Sequence, residues 1–153
     1  MIPAPSFSSP SQTSGGTLFI YTDGASRNNP GESSIGVVIK NDQNEIIETL
    51  SEYVGIGSNN KAEYIALIRA LESAGKFNPQ AVHLYLDSQL VVRQVTGEYK
   101  VKDAGLIPLH RQAKALYSRY EQKSITHIPR AENFEADALA NAALDKQKKK
   151  GIS

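Results

Sequence analysis

An apolar run that stops at an acid constrains the fold of this 153-residue chain more than any other stretch. Residues 17–22, TLFIYT, have the composition of a buried strand, and Asp23 follows at once. Residues 24–32 contain two asparagines, a proline and two glycines, so a polar loop is predicted after the strand. A buried strand seldom ends on a carboxylate by accident. We therefore expect other acids to converge on Asp23 from elsewhere in the chain.

Length and composition limit the class of protein. A chain of this length is about one domain. It has no cysteine, which excludes a disulfide framework and a thiolate metal site and fits a reducing, cytoplasmic compartment. No apolar run approaches roughly 18 residues, and the N-terminus lacks the order of a signal peptide, so neither a membrane span nor export is expected. The net charge of +1 does not by itself indicate a nucleic-acid partner.

The order of predicted elements is that of a mixed α/β domain. Residues 33–40 and 46–54 alternate as strands around a polar turn, and with residues 17–22 they predict a three-stranded antiparallel meander. The second half predicts two more strands, separated and followed by helices. Its elements are a helix at 59–74, a strand at 81–86, helices at 88–96 and 106–120, a strand at 124–128 and a helix at 133–146. This pattern predicts a mixed sheet covered by helices.

The two ends of the chain are predicted to lie outside the domain. Residues 1–16 are rich in serine and proline and have no periodic apolar pattern, so a disordered leader is expected. Residues 147–153 contain three lysines and are expected to form a basic, flexible tail. The folded domain is predicted to span residues 17–146.

Two acids end two strands. Asp87 follows residues 81–86 as Asp23 follows residues 17–22. If the two strands lie side by side and parallel, both carboxylates stand at the same edge of the sheet, where ligands bind in open α/β folds. Two adjacent aspartates repel each other unless a cation lies between them.

Two further acids fall on apolar faces of helices. Glu63 shares its stripe with alanine and leucine residues of the helix at 59–74, and Asp137 shares a stripe with Phe134, Ala140 and Leu144. A carboxylate on a face that packs against the core is costly unless it is paired or coordinated. Four acids therefore occupy positions where acids are least expected.

The donor set indicates hard cations. Oxygen ligands without cysteine or clustered histidine suit Mg²⁺ or Mn²⁺. Four carboxylates can hold two such ions about 4 Å apart, one activating water and the other stabilising the leaving oxygen of a phosphodiester. Each acid alone has a structural interpretation as a turn residue, a first-turn helix residue, a helix cap or a solvated charge. Their joint placement favours the metal site.

Four motifs carry a family resemblance in order between residues 17 and 143. They are TDGASRNNPG, SNNKAEY, LYLDSQLVV and HIPRAENFEADALA. Together they resemble the type 1 ribonuclease H family. The resemblance implies a ribonuclease H-like fold, with a five-stranded mixed sheet flanked by helices, and endonucleolytic cleavage of the RNA strand of an RNA/DNA hybrid that leaves 3′-hydroxyl and 5′-phosphate ends. It also implies that two Mg²⁺ ions, replaceable by Mn²⁺, are held by Asp23, Glu63, Asp87 and Asp137.

The resemblance assigns substrate contacts as well. Amide side chains offer a donor and an acceptor together, which suits recognition of a 2′-hydroxyl in the shallow minor groove of a hybrid. Turn chemistry is the alternative explanation for Asn29, and helix capping for Asn59. Ser26 and Ser58 are further candidates for phosphate or sugar contacts. By the resemblance, the amides that contact the hybrid are Asn29, Asn59, Asn60 and Gln89.

His127 and Arg130 are candidates at the same rim. His127 stands ten positions before Asp137, the spacing at which many family members carry a mobile histidine that shuttles protons or assists product release. A group that titrates near neutral pH suits that work. The segment ITHIPR favours a strand running into a turn stiffened by proline, so His127 is alternatively a strand-end residue. Arg130 is the second candidate, for holding a phosphate.

The chain departs from many bacterial members of that family between two helices. Those members insert a basic helical protrusion there, whereas residues 97–107 are few and carry only Lys100 and Lys102. The chain is therefore more similar to compact, archaeal-type members, some of which also cut double-stranded RNA. Another nuclease on the same scaffold and a non-catalytic nucleic-acid-binding module are the alternatives, and the latter would be expected to lack one of the acids. We expect a cytoplasmic monomer.

Overall fold

The structure is a computed structural model that describes residues 16–152, of which residues 151 and 152 are described by their backbone alone. The predicted leader therefore lies outside the described residues except for Gly16, and Ser153 lies outside them as well. Both predictions about order at the chain ends remain predictions. Within residues 16–152, no helix is long and apolar enough to cross a membrane.

Five strands form one mixed sheet. They are β1 (Thr17–Ser26), β2 (Gly31–Lys40), β3 (Ile46–Gly57), β4 (Ala81–Leu86) and β5 (Gln122–His127). The order across the sheet is β3-β2-β1-β4-β5. β1, β2 and β3 form the predicted antiparallel meander, and β4 lies parallel to both β1 and β5. The predicted sheet of a meander plus two parallel strands is confirmed.

The parallel pairing of β1 and β4 places matching residues side by side. Tyr21 is opposite Tyr85 in the register, and their rings stack with centroids 4.9 Å apart. Two residues earlier, Phe19 stacks on His83 at 5.5 Å. Because the two strands run parallel in this register, Asp23 of β1 and Asp87, the residue after β4, come to the same edge of the sheet together.

Two strands run three or four residues past their predicted C-terminal ends. β1 does not stop before Asp23 but continues to Ser26, because residues 23–26 pair with residues 33–36 of β2. The predicted loop thereby shrinks to residues 27–30. β3 likewise continues past residue 54, the predicted end of the strand, to Gly57. Gly55 has a φ of 91°, and the register shifts there, so the strand accommodates an extra residue as a bulge instead of ending.

Within residues 16–152, four α-helices flank the sheet. They are α1 (Asn59–Ala74), α2 (Gln89–Thr96), α3 (Ile107–Tyr117) and α4 (Phe134–Ile152). α1 has the predicted bounds, and its inward face is buried from Ala62 to Ala74. α4 extends six residues beyond the predicted end near Lys146, because lysine and glutamine are good helix formers. Residues 147–152 are therefore helical here.

α4 packs directly on β2. A Cβ atom added at Gly36 would lie 2.0 Å from the carbonyl oxygen of Ala136, which is closer than atoms can approach. Glycine at this point lets the helix backbone touch the strand. The buried face of α4 consists of Ala136, Ala140, Ala143 and Leu144. Small side chains on the helix thus bring its first turns close to the sheet edge at which β1 and β4 end.

Candidate active site

Three acids converge at the edge of the sheet. Asp23 and Glu63 are only 5% and 7% exposed, and Asp87 is half-buried. One carboxylate oxygen from each lies within 4.8 Å of the others. They come from β1, from the second turn of α1 and from the residue after β4. At this separation and burial, the carboxylates are costly to ionise together unless a cation or a proton compensates their charge.

A close contact between β1 and α1 positions Glu63. A Cβ atom added at Gly24 would lie 2.2 Å from the backbone carbon of Ala62, so only glycine allows this approach. The backbone N–H of Gly24 donates to Oε1 of Glu63 at 2.9 Å. Ser58 begins the helix, because its Oγ accepts from the backbone N–H of Lys61 at 3.1 Å. The cap and the glycine contact together fix the direction in which Glu63 points.

Asp137 borders this triad and lies outside the 4.8 Å group. Its side chain is 25% exposed, and its Oδ1 accepts from Nη2 of Arg130 at 3.3 Å. The predicted stripe through Phe134 is wrong, since Phe134 is 66% exposed. The buried face begins at Ala136, about 100° around the helix from Asp137, which therefore lies at the margin of the buried face. The sequence placed Asp137 deeper than it is.

Asn133 links the turn before α4 to β1. It ends a 3₁₀ turn at Arg130–Asn133, and its Nδ2 donates to the backbone carbonyl of Thr22 at 2.8 Å. Thr22 and Asn133 are fully or almost fully buried. Thr22 Oγ1 and Asn133 Oδ1 have no hydrogen-bond partner among the described residues. This link fixes the turn that carries Arg130 beside the residue that precedes Asp23, and the sequence interpretation missed it.

Two of these acids, Asp23 and Glu63, have raised pKa values. Burial, followed by the charges of Asp87 and Asp137, raises the pKa of Asp23 to about 8, against a smaller opposing effect of Arg130. Burial and the charges of Asp23 and Asp87 also hold the pKa of Glu63 well above its usual range, although the Gly24 N–H opposes this. A bound cation would relieve this repulsion. The oxygen-only donors and their burial fit a hard divalent ion.

A chain of hydrogen bonds connects the predicted substrate-binding residues. Oδ1 of Asn29 accepts from the backbone N–H of Asn59 at 2.9 Å, and Oδ1 of Asn59 accepts from the backbone N–H of Ser26 at 2.8 Å. The Ser26 hydroxyl donates to the Gly57 carbonyl at 2.7 Å. Helix capping does not explain Asn59, because Ser58 is the cap. The network joins the β1–β2 turn to the beginning of α1.

One cleft of about 450 Å³ joins most of the candidate residues. Eight of the twelve predicted site residues line it. These are Asp23, Ser26, Asn59, Asn60, Glu63, Asp87, Arg130 and Asp137.

Four predicted residues do not line the cleft. Asn29 and Ser58 accept hydrogen bonds from backbone N–H groups at the beginning of α1. Gln89 is the exposed first residue of α2. His127 is exposed at the end of β5, opposite Leu86 in the register. It is therefore beside the strand that delivers Asp87.

The cleft also contains residues that the sequence did not single out. Arg27 and Asn141 line it, and Nη2 of Arg27 lies 2.7 Å from Oδ1 of Asp145. Arg27 and Asp145 are 118 positions apart in the chain. The spacing of residues within a helix or a strand cannot indicate a contact between positions so far apart in the chain. The only sequence signal for Arg27 is the polar turn in which it lies, and the predicted functional residues of that turn are its asparagines.

Comparison with known proteins identifies the family of this fold. Residues 21–143 match the family described as reverse transcriptase-like. A ribonuclease H of Alkalilimnicola ehrlichii is 35% identical over 151 residues, covering 89% of this chain and 100% of that protein. The ribonuclease HI of Halobacterium salinarum is 44% identical over 131 residues, which are 86% of this chain. The chain belongs to the type 1 ribonuclease H family.

Solved structures agree with that membership. The crystal structure of RNase H1 from Halobacterium salinarum superposes with a TM-score of 0.83 at 44% identity, covering 86% of this chain and 99% of that one. LC11-RNase H1 in complex with an RNA/DNA hybrid gives a TM-score of 0.81 at 40% identity, covering 85% and 98%. Residues 97–106, between α2 and α3, form no helix, which confirms the predicted absence of a protrusion.

The chain is shorter than some of its relatives. It spans 66% of the Halobacterium ribonuclease HI and 35% of three mycobacterial relatives.

Proposed function

We propose that this chain is an endoribonuclease that hydrolyses the RNA strand of RNA/DNA hybrids and leaves 3′-hydroxyl and 5′-phosphate ends. The observation that carries the proposal is the group of three carboxylates within 4.8 Å of one another, open to a cleft at the end of β1 and β4. Family membership supports it, as does the hybrid bound to LC11-RNase H1.

The proposal includes two Mg²⁺ ions, with Mn²⁺ as a substitute. Asp23, Glu63 and Asp87 would hold them, and Asp137 would contribute from the margin. When bound, Mg²⁺ supplies positive charge to the phosphate oxygens and makes water a stronger nucleophile at neutral pH. The raised pKa values of Asp23 and Glu63 support this assignment, because each reports a carboxylate that lacks a compensating positive charge.

Residues around the acids would hold and orient the substrate. The guanidinium of Arg130 is 77% exposed, so most of its N–H groups can meet phosphate oxygens while Asp137 holds it in place. Asn60 lines the cleft beside the Asn59 network, where an amide can pair with a 2′-hydroxyl. Gln89 and Asn29 extend this polar surface on either side. Ser58 supports it from the helix cap.

His127 is proposed to carry a proton at the rim. It is exposed and opposite Leu86, one residue before Asp87. An imidazole there can give a proton to the leaving oxygen, or take one up, as product departs. Ser26 is held by Gly57 and adds a hydroxyl to the cleft wall. A monomeric state and a cytoplasmic location complete the proposal.

One experiment tests the activity. Labelled RNA/DNA hybrid, double-stranded RNA, single-stranded RNA and DNA duplex are incubated with the protein in Mg²⁺ or in Mn²⁺. We expect cleavage of the RNA strand of the hybrid, with loss of cleavage in Asp87→Asn. The matched control is Asp42→Asn, an exposed acid in the β2–β3 turn.

The other outcomes separate the alternatives. Cleavage of double-stranded RNA as well would add the second activity of compact relatives. Cleavage of DNA would favour another nuclease on this scaffold. Binding without cleavage would favour a non-catalytic module. Near-normal cleavage by Asp87→Asn would rule out the carboxylate site as described.

A further inference from the structure

The cleft reaches beyond the acids to a turn that carries a second arginine. Residues 27–30 join β1 to β2, and Arg27 lines the same cleft as the four carboxylates. We propose that Arg27 is a further substrate-binding residue, which holds a backbone phosphate next to the one that is cleaved. This inference rests on the proposed function, because it assumes a nucleic-acid substrate.

The backbone at Arg27 is fixed. Its N–H donates to the Glu32 carbonyl at 3.0 Å, which closes the turn. A Cβ atom added at Gly31 would lie 1.7 Å from the Arg27 carbonyl oxygen, so the two sides of the turn are in direct contact. The Asn28 residue that follows has a φ of 70°, as turns of this tightness require. The Arg27 side chain therefore starts from a defined point on the cleft wall.

Asp145 holds the far end of the Arg27 side chain. Nη2 of Arg27 lies 2.7 Å from Oδ1 of Asp145 on α4, and the two side chains are 41% and 63% exposed. An ion pair this exposed adds little to stability. It does restrict a long side chain that would otherwise sample many rotamers. A guanidinium has five N–H groups, so one bond to Asp145 leaves most of them available to an anion.

The charges of the cleft require such a group. Four carboxylates line it, and among the described residues that line it the cations are Arg27 and Arg130. Arg130 is paired with Asp137, close to the bond to be cut. A nucleic acid carries a negative charge at every backbone phosphate. Divalent cations bound at the acids would compensate only the phosphates beside the acids. Arginine suits the neighbouring phosphate because its planar fork matches two phosphate oxygens.

Steady-state kinetics on hybrid test this role. A residue that binds a flanking phosphate equally in the ground and transition states changes KM and leaves kcat unchanged. We expect Arg27→Ala to raise KM by about 5- to 20-fold and to reduce the slope of log affinity against log salt by about one. Arg27→Lys should raise KM less than Arg27→Ala does, because lysine keeps the positive charge. Arg119→Ala is the matched control, because Arg119 is exposed and lines a separate cleft at the far end of α1.

Uncharged backbone linkages in the substrate identify which phosphate Arg27 contacts and in which strand that phosphate lies. Methylphosphonates are placed one at a time in the RNA strand or in the DNA strand of the hybrid. At the contacted linkage, the substitution should raise the KM of the wild type and leave that of Arg27→Ala unchanged.

A KM and a salt slope for Arg27→Ala equal to those of Arg119→Ala would overturn the assignment. So would the absence of any linkage at which the two effects coincide. A wild type that fails to cleave hybrid would instead contradict the proposed function. The two failures are therefore distinguishable.

Discussion

The backbone N–H of Gly24 donates to Oε1 of Glu63 across 2.9 Å, and this bond joins β1 to α1 at the point where both reach the cleft. The same glycine allows the helix to approach, since any Cβ there would meet the backbone of Ala62. The contact that packs the domain is thus also the contact that orients an acid of the site.

Gly24→Ala should damage both stability and activity. The added methyl would lie 2.2 to 2.4 Å from backbone atoms of Ala62 and Glu63, so α1 has to move. We expect a loss of about 1–3 kcal/mol in the free energy of unfolding. A displacement of Glu63 should lower kcat on the order of 100-fold. Chemical denaturation and hybrid cleavage measure the two effects.

Gly57→Ala is the control for that variant, because its added methyl would find only ordinary contacts at 3.8 Å or beyond. Equal effects of the two substitutions would show that helix approach at Gly24 is not the cause.

The stability of the metal-free protein should depend on the charge of Asp23. The folded pKa of about 8 lies above the ordinary value of 3.8, so the folded state retains a proton that the unfolded state loses. The stability from this group is complete below about pH 4 and is lost as the pH rises through about 8. In Asp23→Asn this dependence is absent. Relative to wild type, the variant should therefore gain several degrees of Tm from pH 4 to pH 9 in chelator, at roughly 2–4 °C per kcal/mol.

Mg²⁺ should reverse the order of the Tm values that wild type and Asp23→Asn show at high pH in chelator. A cation that binds only the folded state raises Tm, so Mg²⁺ at pH 8 should stabilise the wild type more than Asp23→Asn. Asp42→Asn, in an exposed turn, should follow the wild type in both conditions. Parallel Tm curves for wild type and Asp23→Asn, with and without Mg²⁺, would argue against a cation at this carboxylate.

Asn133→Ala should loosen the site from behind. It removes the 2.8 Å bond to the backbone carbonyl of the buried Thr22, at a cost of about 0.5–1.5 kcal/mol. Because the bond fixes the turn before α4, kcat should fall as well. Asn133→Asp should be worse, since a carboxylate cannot donate to the carbonyl and adds charge beside Asp23. Gln43→Ala, an exposed amide, is the control, and a harmless Asn133→Asp would contradict this account.

His127→Ala should slow turnover several-fold without lowering Tm, because the side chain is exposed at the end of β5. Thr126→Ala, its exposed neighbour, is the control. Single-turnover and steady-state rates together separate a proton-transfer role from product release. Unchanged rates would make His127 a strand-end residue only.

Local patterns predicted what local forces determine. The bounds of α1 follow from its buried stripe and from the Ser58 cap, and those of β4 from a short apolar run. The convergence of Asp23 and Asp87 could be expected because parallel strands end at one edge. These features depend on periodicity and strand direction, which a sequence displays directly.

Other features depend on partners far along the chain. β1 runs past Asp23 because β2 supplies hydrogen bonds there, and no residue of β1 reveals it. The place of Asp137 at the margin depends on which face of α4 meets Gly36. The Arg27–Asp145 and Asn133–Thr22 contacts join residues more than 100 positions apart. Pattern reasoning within a window does not reach such pairs.

The four acids arrive in chain order from β1, α1, β4 and α4. Under the proposed function, a ribosome that has made only the first three elements has made an incomplete ligand set. Hydrolysis would then begin only once the last helix has emerged and packed on β2, so the nascent polypeptide would stay inert toward nearby nucleic acid while it is being translated. Under that proposal, the position of α4 after the other three elements would set when in biosynthesis the domain becomes active.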